Sequence, residues 1–387
     1  MRRAVSAVLA AVVGLGMVAC GPNKVNSAVG DTVKIGVNYE LSGTVASYGS
    51  SNVKGIEMAI DEINAAGGVR GKQLKEVKYD SKSEPAEATT LATKLTSQDK
   101  VVTIIGPATS GSFKATIPVA NKHEVPVVSG SATANDATVL HGKVQPYAFR
   151  TCFSDNYQGT GMADYAVKRM KATRAVIIKD NSSDYSKGLA ESFRQKMTEE
   201  GGTITNEVTY NTGDQDFNAI LTSIKNQKFD VIYLPGYYAE AGLIIKQARA
   251  QGIDTPILGG DGWDSPKLED LAGDSALNNV FFSNHYSSLD PSAQVQDFIK
   301  AYKARYGAEP DAFNALGYDT AKFVADSINR ASSIDGPSIA QAMATTTNFS
   351  GVTGTFSMDA NHNPVKSIVV VGLTNGKQAS SESYKAS

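Results

Sequence analysis

Cysteine is nearly absent: among 387 residues only Cys20 and Cys152 occur. Two thiols this far apart offer no disulfide framework, so stability has to come from packing, and Cys152 reads as a small buried hydrophobe. Histidine is almost as sparse. His123, His141, His285 and His362 show no metal-ligand spacing with one another or with carboxylates, which excludes a metal-centre reading and makes each a surface or loop residue. Neither sign of charge dominates. The 37 basic and 39 acidic residues are interspersed, for a net charge of -2, so the clustered Lys and Arg that would neutralise phosphates are missing and nucleic acid is not an expected partner. Long apolar runs are missing as well. After residue 20 none approaches the ~20 residues that span a bilayer, and no heptad pattern marks a subunit interface, so a monomer is expected.

The catalytic motifs are also missing. Residues 106–111 (Gly106-Pro107-Ala108-Thr109-Ser110-Gly111) have the glycine spacing of a phosphate loop, but Ser112-Phe113 stands where Lys followed by Ser or Thr is required. No Gly-x-Gly-x-x-Gly follows an early strand, and no strand-end loop carries the Gly-x-Ser-x-Gly of a nucleophile elbow. These gaps argue against an enzyme and against any cofactor.

What is present begins with Arg2 and Arg3, an apolar run over 4–19, and Cys20. This reads as a secretory signal over 1–20. Its end, Met17-Val18-Ala19-Cys20-Gly21, resembles a bacterial lipobox, in which the Cys becomes a lipidated N-terminus; an ordinary cleavage site is the alternative. With lipidation, 21–30 serves as a flexible tether and the protein is exported, anchored to the membrane and facing the periplasm or cell exterior.

From residue 32 short β-branched runs alternate with amphipathic stretches, the pattern of parallel α/β construction. Strands are predicted over 33–37, 74–79, 101–105 and 125–128, and helices over 46–65, 85–97 and 112–121. Past residue 150 the plan repeats, with helices at 157–170, 187–199, 217–226 and 239–250 and strands at 175–178, 203–208, 231–234 and 256–258. Beyond 280 the pattern turns helix-rich (293–306, 312–331) before strands at 353–356 and 368–371. An open parallel sheet binds ligands at the carboxyl ends of its strands, which points to the loops 106–111, 129–133, 180–185, 235–238 and 259–263.

In those loops and before them, ordered blocks of sequence resemble the periplasmic leucine/isoleucine/valine-binding proteins, type I substrate-binding proteins of ABC transporters. The blocks are Lys34-Ile35-Gly36-Val37 with Leu41-Ser42-Gly43, Ser47-Tyr48-Gly49, the segment from Ala59 to Gly71, Tyr79-Asp80, Ile105-Gly106, Tyr185-Ser186-Lys187-Gly188, Gly236-Tyr237 and Gln247 to Gly252. The resemblance implies a two-lobed α/β fold, each lobe a mainly parallel sheet flanked by helices, with three crossings at the hinge. One lobe would hold 31–150 plus 285–355, the other 151–284 plus 356–387.

The resemblance also implies a site. The carboxylate-binding serine falls on Ser110 and the second small-polar loop on Ser131 and Thr133. Residue chemistry alone leaves Ser110 open as a helix cap. Asp261 matches the ammonium-binding carboxylate, shortened from the usual Glu; a turn-forming Asp-Gly is its other reading. Tyr185 and Tyr237 match the aromatic residues of the second lobe, and Tyr48 and Phe313 those of the first. Trp263 covers the pocket or packs between lobes. Ser83 and Thr109 stand where many relatives have a disulfide. The implied function is capture of a small neutral or branched-chain amino acid between closing lobes and delivery to a permease. A sensor domain, or a binding protein for an amide, urea or aromatic acid, is the alternative.

Overall fold

The computed structural model describes residues 32–384; the signal over 1–20, Cys20 and the tether lie outside them. Strand β1 (Thr32–Tyr39) buries Ile35, Val37 and Tyr39 completely. Helix α1 (Ala46–Ala65) turns Val53, Ile56, Ala59, Ile60 and Ile63 into the core, the face predicted from their spacing. It ends at Gly67 and Gly68, both in the left-handed region, where Gly68 N–H bonds Ile63 O at 2.8 Å. Then follow β2 (Gln73–Asp80), α2 (Pro85–Lys94), β3 (Ile104–Ile105), α3 (Ser110–His123) and β4 (Val127–Ser129). The helix predicted over 85–97 widens after α2 into a π-helical turn, Leu95–Asp99, closed by Lys100 at φ 58°. A small hairpin of β5 (Val139–Leu140) and β6 (Lys143–Val144) leads to β7 (Ala148–Arg150).

The second series runs α4 (Asp155–Lys168), β8 (Arg174–Asp180), α5 (Asp184–Glu199), β9 (Thr203–Tyr210), α6 (Asn218–Lys225), β10 (Val231–Tyr233), α7 (Tyr238–Ala250), β11 (Ile257–Gly259), α8 (Pro266–Ala272) and β12 (Val280–Asn284). Strand β12 falls between the predicted strand 256–258 and the predicted helix 293–306, where no element was expected: with Val280, Phe282, Ser283 and Asn284 all buried it lacks the alternation that betrays a strand. After it come α9 (Ala293–Tyr306), α10 (Ala312–Arg330), α11 (Gly336–Ala344), the hairpin β13 (Phe349–Gly351) and β14 (Gly354–Phe356), and the hairpin β15 (Ile368–Thr374) and β16 (Lys377–Tyr384).

Two sheets result. The first, β2-β1-β3-β4-β7, is wholly parallel; the second, β16-β15-β12-β11-β10-β8-β9, is parallel from β12 to β9 with β15 and β16 antiparallel. The chain passes between them three times: after β7, after β12, and between β14 and β15. This is the two-lobed, three-crossing α/β fold that the resemblance implied. Among the described residues no helix is long and apolar enough to cross a membrane.

Cys152 is buried at the first crossing, and burial pushes its thiol up to about 12. Two histidines depart from the surface reading. His285 and His362 are buried, each with its ring stacked on a phenylalanine, on Phe153 at 3.6 Å and on Phe149 at 4.1 Å. Aromatic stacking and hydrogen bonding, His285 to Asp261 and His362 to Ala148 O, compensate for the lost water.

Helix α10 returns to the first lobe and crosses α1 where Gly55 and Gly317 meet. A methyl group on either would drive into a backbone carbonyl, that of Asn314 or of Asn52. In a helix interior Ala is favoured over Gly by about 1 kcal/mol, yet overpacking costs about 1–3 kcal/mol or more, and a backbone atom cannot rotate away. Gly317→Ala is therefore expected to lower unfolding stability by about 2 kcal/mol net, whereas Gly111→Ala in α3, with open space around it, should not lower it. Urea denaturation of both variants checks this, and equal stabilities would disprove the close crossing.

Candidate functional site

The strand-end loops of both sheets face one another across a narrow cleft. Every residue singled out above as a ligand contact lines it except Thr133: Tyr48, Ser110, Ser131, Tyr185, Tyr237, Asp261 and Phe313, joined by Ala108, Thr109 and Gly262. Trp263 is not there. Its ring packs in the second lobe against Gly259 and Phe282, away from the cleft.

On the first lobe the loop after β3 is held from behind by Glu40. This buried carboxylate accepts Ala108 N–H at 2.9 Å, Thr109 N–H at 3.0 Å and the Thr109 hydroxyl at 2.8 Å. Burial raises the Glu40 carboxyl while those three donors act against the rise. The loop is thereby fixed just ahead of α3, whose first-turn N–H groups have no partner within the helix and form a site for negative charge.

Ser110 is the first residue of α3 and not its cap. Its Oγ accepts Ala134 N–H at 3.1 Å, so the hydroxyl hydrogen is left to donate. Ser131 has the opposite polarity. Its hydroxyl donates to Ala108 O at 3.0 Å and keeps its lone pairs for a donor. Thr133 is buried just beyond, its hydroxyl near the Asp155 carboxyl and its carbonyl accepting Asp155 N–H at 2.7 Å. The loop carrying these residues is clamped by Arg150. That buried guanidinium donates to Thr133 O and Ala134 O, both at 2.8 Å, and through Nε to Asn363 Oδ1 at 2.7 Å.

On the second lobe Asp261 begins the 3-10 turn Asp261–Trp263 after β11. Its Oδ1 accepts the Tyr185 hydroxyl at 2.8 Å and Gln158 Nε2 at 3.1 Å; its Oδ2 accepts His285 Nε2 at 3.0 Å. The orientation of Gln158 follows from its oxygen, which accepts the Ser283 hydroxyl at 2.8 Å and Asp261 N–H at 3.3 Å. Burial pulls the His285 imidazole down to about 4, overriding the Asp261 charge that acts to raise it. The ring is therefore neutral at pH 7, and no Lys or Arg of the described residues pairs with Asp261. A carboxylate accepts about four hydrogen bonds; with these three filled, one place on Oδ2 is open.

Between the two polar faces stand four rings. Tyr48 stacks on Phe313 (4.4 Å, 28°), Tyr185 stacks on Tyr237 (5.0 Å, 8°), and Tyr48 meets Tyr237 edge-on at 5.6 Å. The Tyr48 hydroxyl also joins the lobes, donating to Gly262 O and accepting Tyr238 N–H at 3.2 Å. Tyr238 in turn donates to Thr44 O at 3.0 Å.

The sequence of residues 32–378 matches the model of a family described as periplasmic binding protein. The chain belongs to that family. Membership makes it a solute-binding protein and not an enzyme. Among its relatives, a Leu/Ile/Val-binding protein homolog of Brucella melitensis is 31% identical over 80% of this chain and 82% of its own length. The branched-chain amino acid transporter substrate-binding protein LivJ of Streptococcus pneumoniae, solved with isoleucine, is 42% identical. It superposes with a TM-score of 0.87 over 92% of this chain and 100% of its own. A solute-binding protein of R. palustris, solved with benzoate, is 26% identical with a TM-score of 0.83, over 92% of this chain and 97% of its own.

Sequence reasoning missed the residues that hold the site in place: Glu40, Arg150, Asp155, Gln158 and His285. Each is brought to the cleft by tertiary contact and carries no local signal. Asp155 and Asp261 are the two buried carboxyl groups bridged by Gln158, which donates to Asp155 Oδ1 at 3.2 Å. Burial pushes the Asp155 carboxyl from 3.8 up to about 8, and the Asp261 charge adds to the rise. The folded chain thus holds this proton more tightly than the unfolded one, so the contribution of Asp155 to stability is greatest at low pH and is lost as pH rises from about 4 to about 8. Asp155→Asn, which cannot ionise, should melt above the parent protein at pH 8, with the difference shrinking toward pH 4. Melting curves across that range check it; a difference independent of pH would show that Asp155 carries its charge.

Proposed function

We propose that the chain is the capture subunit of an ABC uptake system and that its cargo is a neutral amino acid, with branched-chain side chains preferred. The observation carrying this reading is the polarity of the cleft: a buried carboxylate with no protein cation on one side, and a hydroxyl donor beside free helix N–H groups on the other, with aromatic rings between. An α-amino acid presents the complementary charges in one small molecule.

In this reading the ligand's carboxylate meets the Ser110 hydroxyl and the first turn of α3. Its ammonium meets Asp261 Oδ2 and the lone pairs of Ser131, and Thr133 completes the small-polar loop beside them. The side chain lies among Tyr48, Phe313, Tyr185 and Tyr237, whose rings offer apolar area at small cost in side-chain entropy. The Leu/Ile/Val-binding relative and the isoleucine complex of LivJ support that choice. Closure is stabilised because the Asp261 and Tyr185 contacts to a ligand on the first lobe exist only with the lobes together. The lobes comprise 31–150 plus 285–355 and 151–284 plus 356–387. A signal over 1–20, lipidation at Cys20 and a tether over 21–30 hold a monomer at the outer face of the cell membrane, where it delivers its cargo to permease subunits.

A thermal-shift screen against the twenty amino acids, urea, short amides and benzoate tests this. Ligand at 100 times its Kd adds about 2.7 kcal/mol to the folded state, so Leu, Ile or Val should raise the melting temperature by several degrees. Ser110→Ala and Asp261→Asn should stay folded and lose about 30-fold or more in amino-acid affinity, in line with losses of about 2–5 kcal/mol for breaking a buried charge contact. No response to any amino acid together with a clear shift by benzoate would discard the ammonium role of Asp261 and replace the cargo with an aromatic acid.

A further inference from the structure

Asp261 sits on a short turn, and nothing in its own backbone fixes where its carboxylate points. Two donors, Tyr185 from α5 and Gln158 from α4, both go to Oδ1. Among the described residues only His285 reaches Oδ2, the oxygen with a place left for a ligand. His285 is itself immobilised. It follows β12 directly at the second crossing, its N–H bonds Asn284 Oδ1 at 2.9 Å, and its ring lies flat on Phe153 of the first crossing at 3.6 Å and 15°. Its side chain is wholly buried.

We propose that His285 is the positioning residue of the ammonium site: the hydrogen bond from its Nε2 to Asp261 Oδ2 fixes the oxygen that receives the ligand's ammonium, and its stack on Phe153 ties that oxygen to the hinge. The assignment rests on the amino-acid reading of the cleft. The donor must orient without neutralising, since a charged partner would satisfy the carboxylate and remove its demand for a cation. A buried imidazole does this. Buried charge is disfavoured for the ring itself, and the neighbouring Lys366 ammonium, held at the third crossing by Thr151 O and Thr353 Oγ1, disfavours it further. The remaining Nδ1 has no hydrogen-bond partner among the described residues, so Nε2 carries the hydrogen and donates.

The test compares affinity for L-isoleucine with that for 3-methylpentanoate, the same molecule without its amine, by displacement titration into the high millimolar range. The parent protein, His285→Phe, His285→Asn and His285→Gln are measured side by side. In the parent the amine should strengthen binding markedly. His285→Phe keeps a ring for Phe153 and loses the donor, and should reduce isoleucine affinity about tenfold or more with little change for 3-methylpentanoate. His285→Gln, long enough to donate to Oδ2, should recover most of the preference, whereas His285→Asn, too short, should not; this pair decides the matter should the Phe variant fail to fold. Equal weakening toward both ligands, or Asn and Gln variants with the parent's preference, would reduce His285 to a packing residue. A parent protein blind to isoleucine would instead overturn the amino-acid reading on which the assignment stands.

Discussion

A carboxylate taken out of water must find donors for its oxygens and a charge to oppose its own, and Asp261 is given donors without charge. Burying an ion without a partner is strongly unfavourable, and much around the cleft follows from managing that one group. Tyr185 is held by Gly262 N–H at 3.0 Å, and Gln158 by Ser283, so each donor is itself oriented before it reaches Asp261. The second acid on the same glutamine, Asp155, retains its proton near neutrality, which spares the site two like charges side by side. The residual demand for positive charge opens toward the cleft.

The hinge is held by buried polar groups of the same kind. Arg150 spends its hydrogens on main-chain carbonyls, which keeps the 131–134 loop in register with the first crossing. Asp319 on α10 accepts Val352 N–H at 2.8 Å, Thr353 N–H at 2.7 Å and the Thr353 hydroxyl at 2.6 Å. Lys366, pulled down to about 8 by burial, donates to Thr151 O on the first crossing and to Thr353 just ahead of the third. Apolar side chains could fill the same volume, but they would not define one geometry so narrowly, because an unmet buried hydrogen bond penalises every alternative arrangement.

Much of this architecture was legible in the sequence because period and chain order carry it. The face of α1, its glycine stop and the alternating α/β series follow from residue spacing alone. The gaps have identifiable causes. Strand β12 is buried on both sides and so shows no alternation, while β16 is polar and largely exposed and is held by its pairing to β15. The turn between β15 and β16, Asn375-Gly376, has both residues at positive φ, and that dipeptide between two strands was a hairpin signal that could have been read. Residues that line the cleft could be found from ordered motifs. Glu40, Arg150 and His285 could not, since a lone charged or imidazole side chain looks the same in sequence whether it faces water or braces a loop.

The Tyr48 ring is a wall of the cleft, and its hydroxyl bonds two backbone groups of the opposite lobe. One side chain therefore registers both the shape of what lies in the cleft and the docking of the lobes. A guest bulky enough to displace the ring breaks the clasp, and a guest that leaves it alone is shut in until those bonds yield. In the proposed capture role, discrimination of this kind acts on the lifetime of the filled state more than on the rate of encounter, and guests are sorted by how long they are kept.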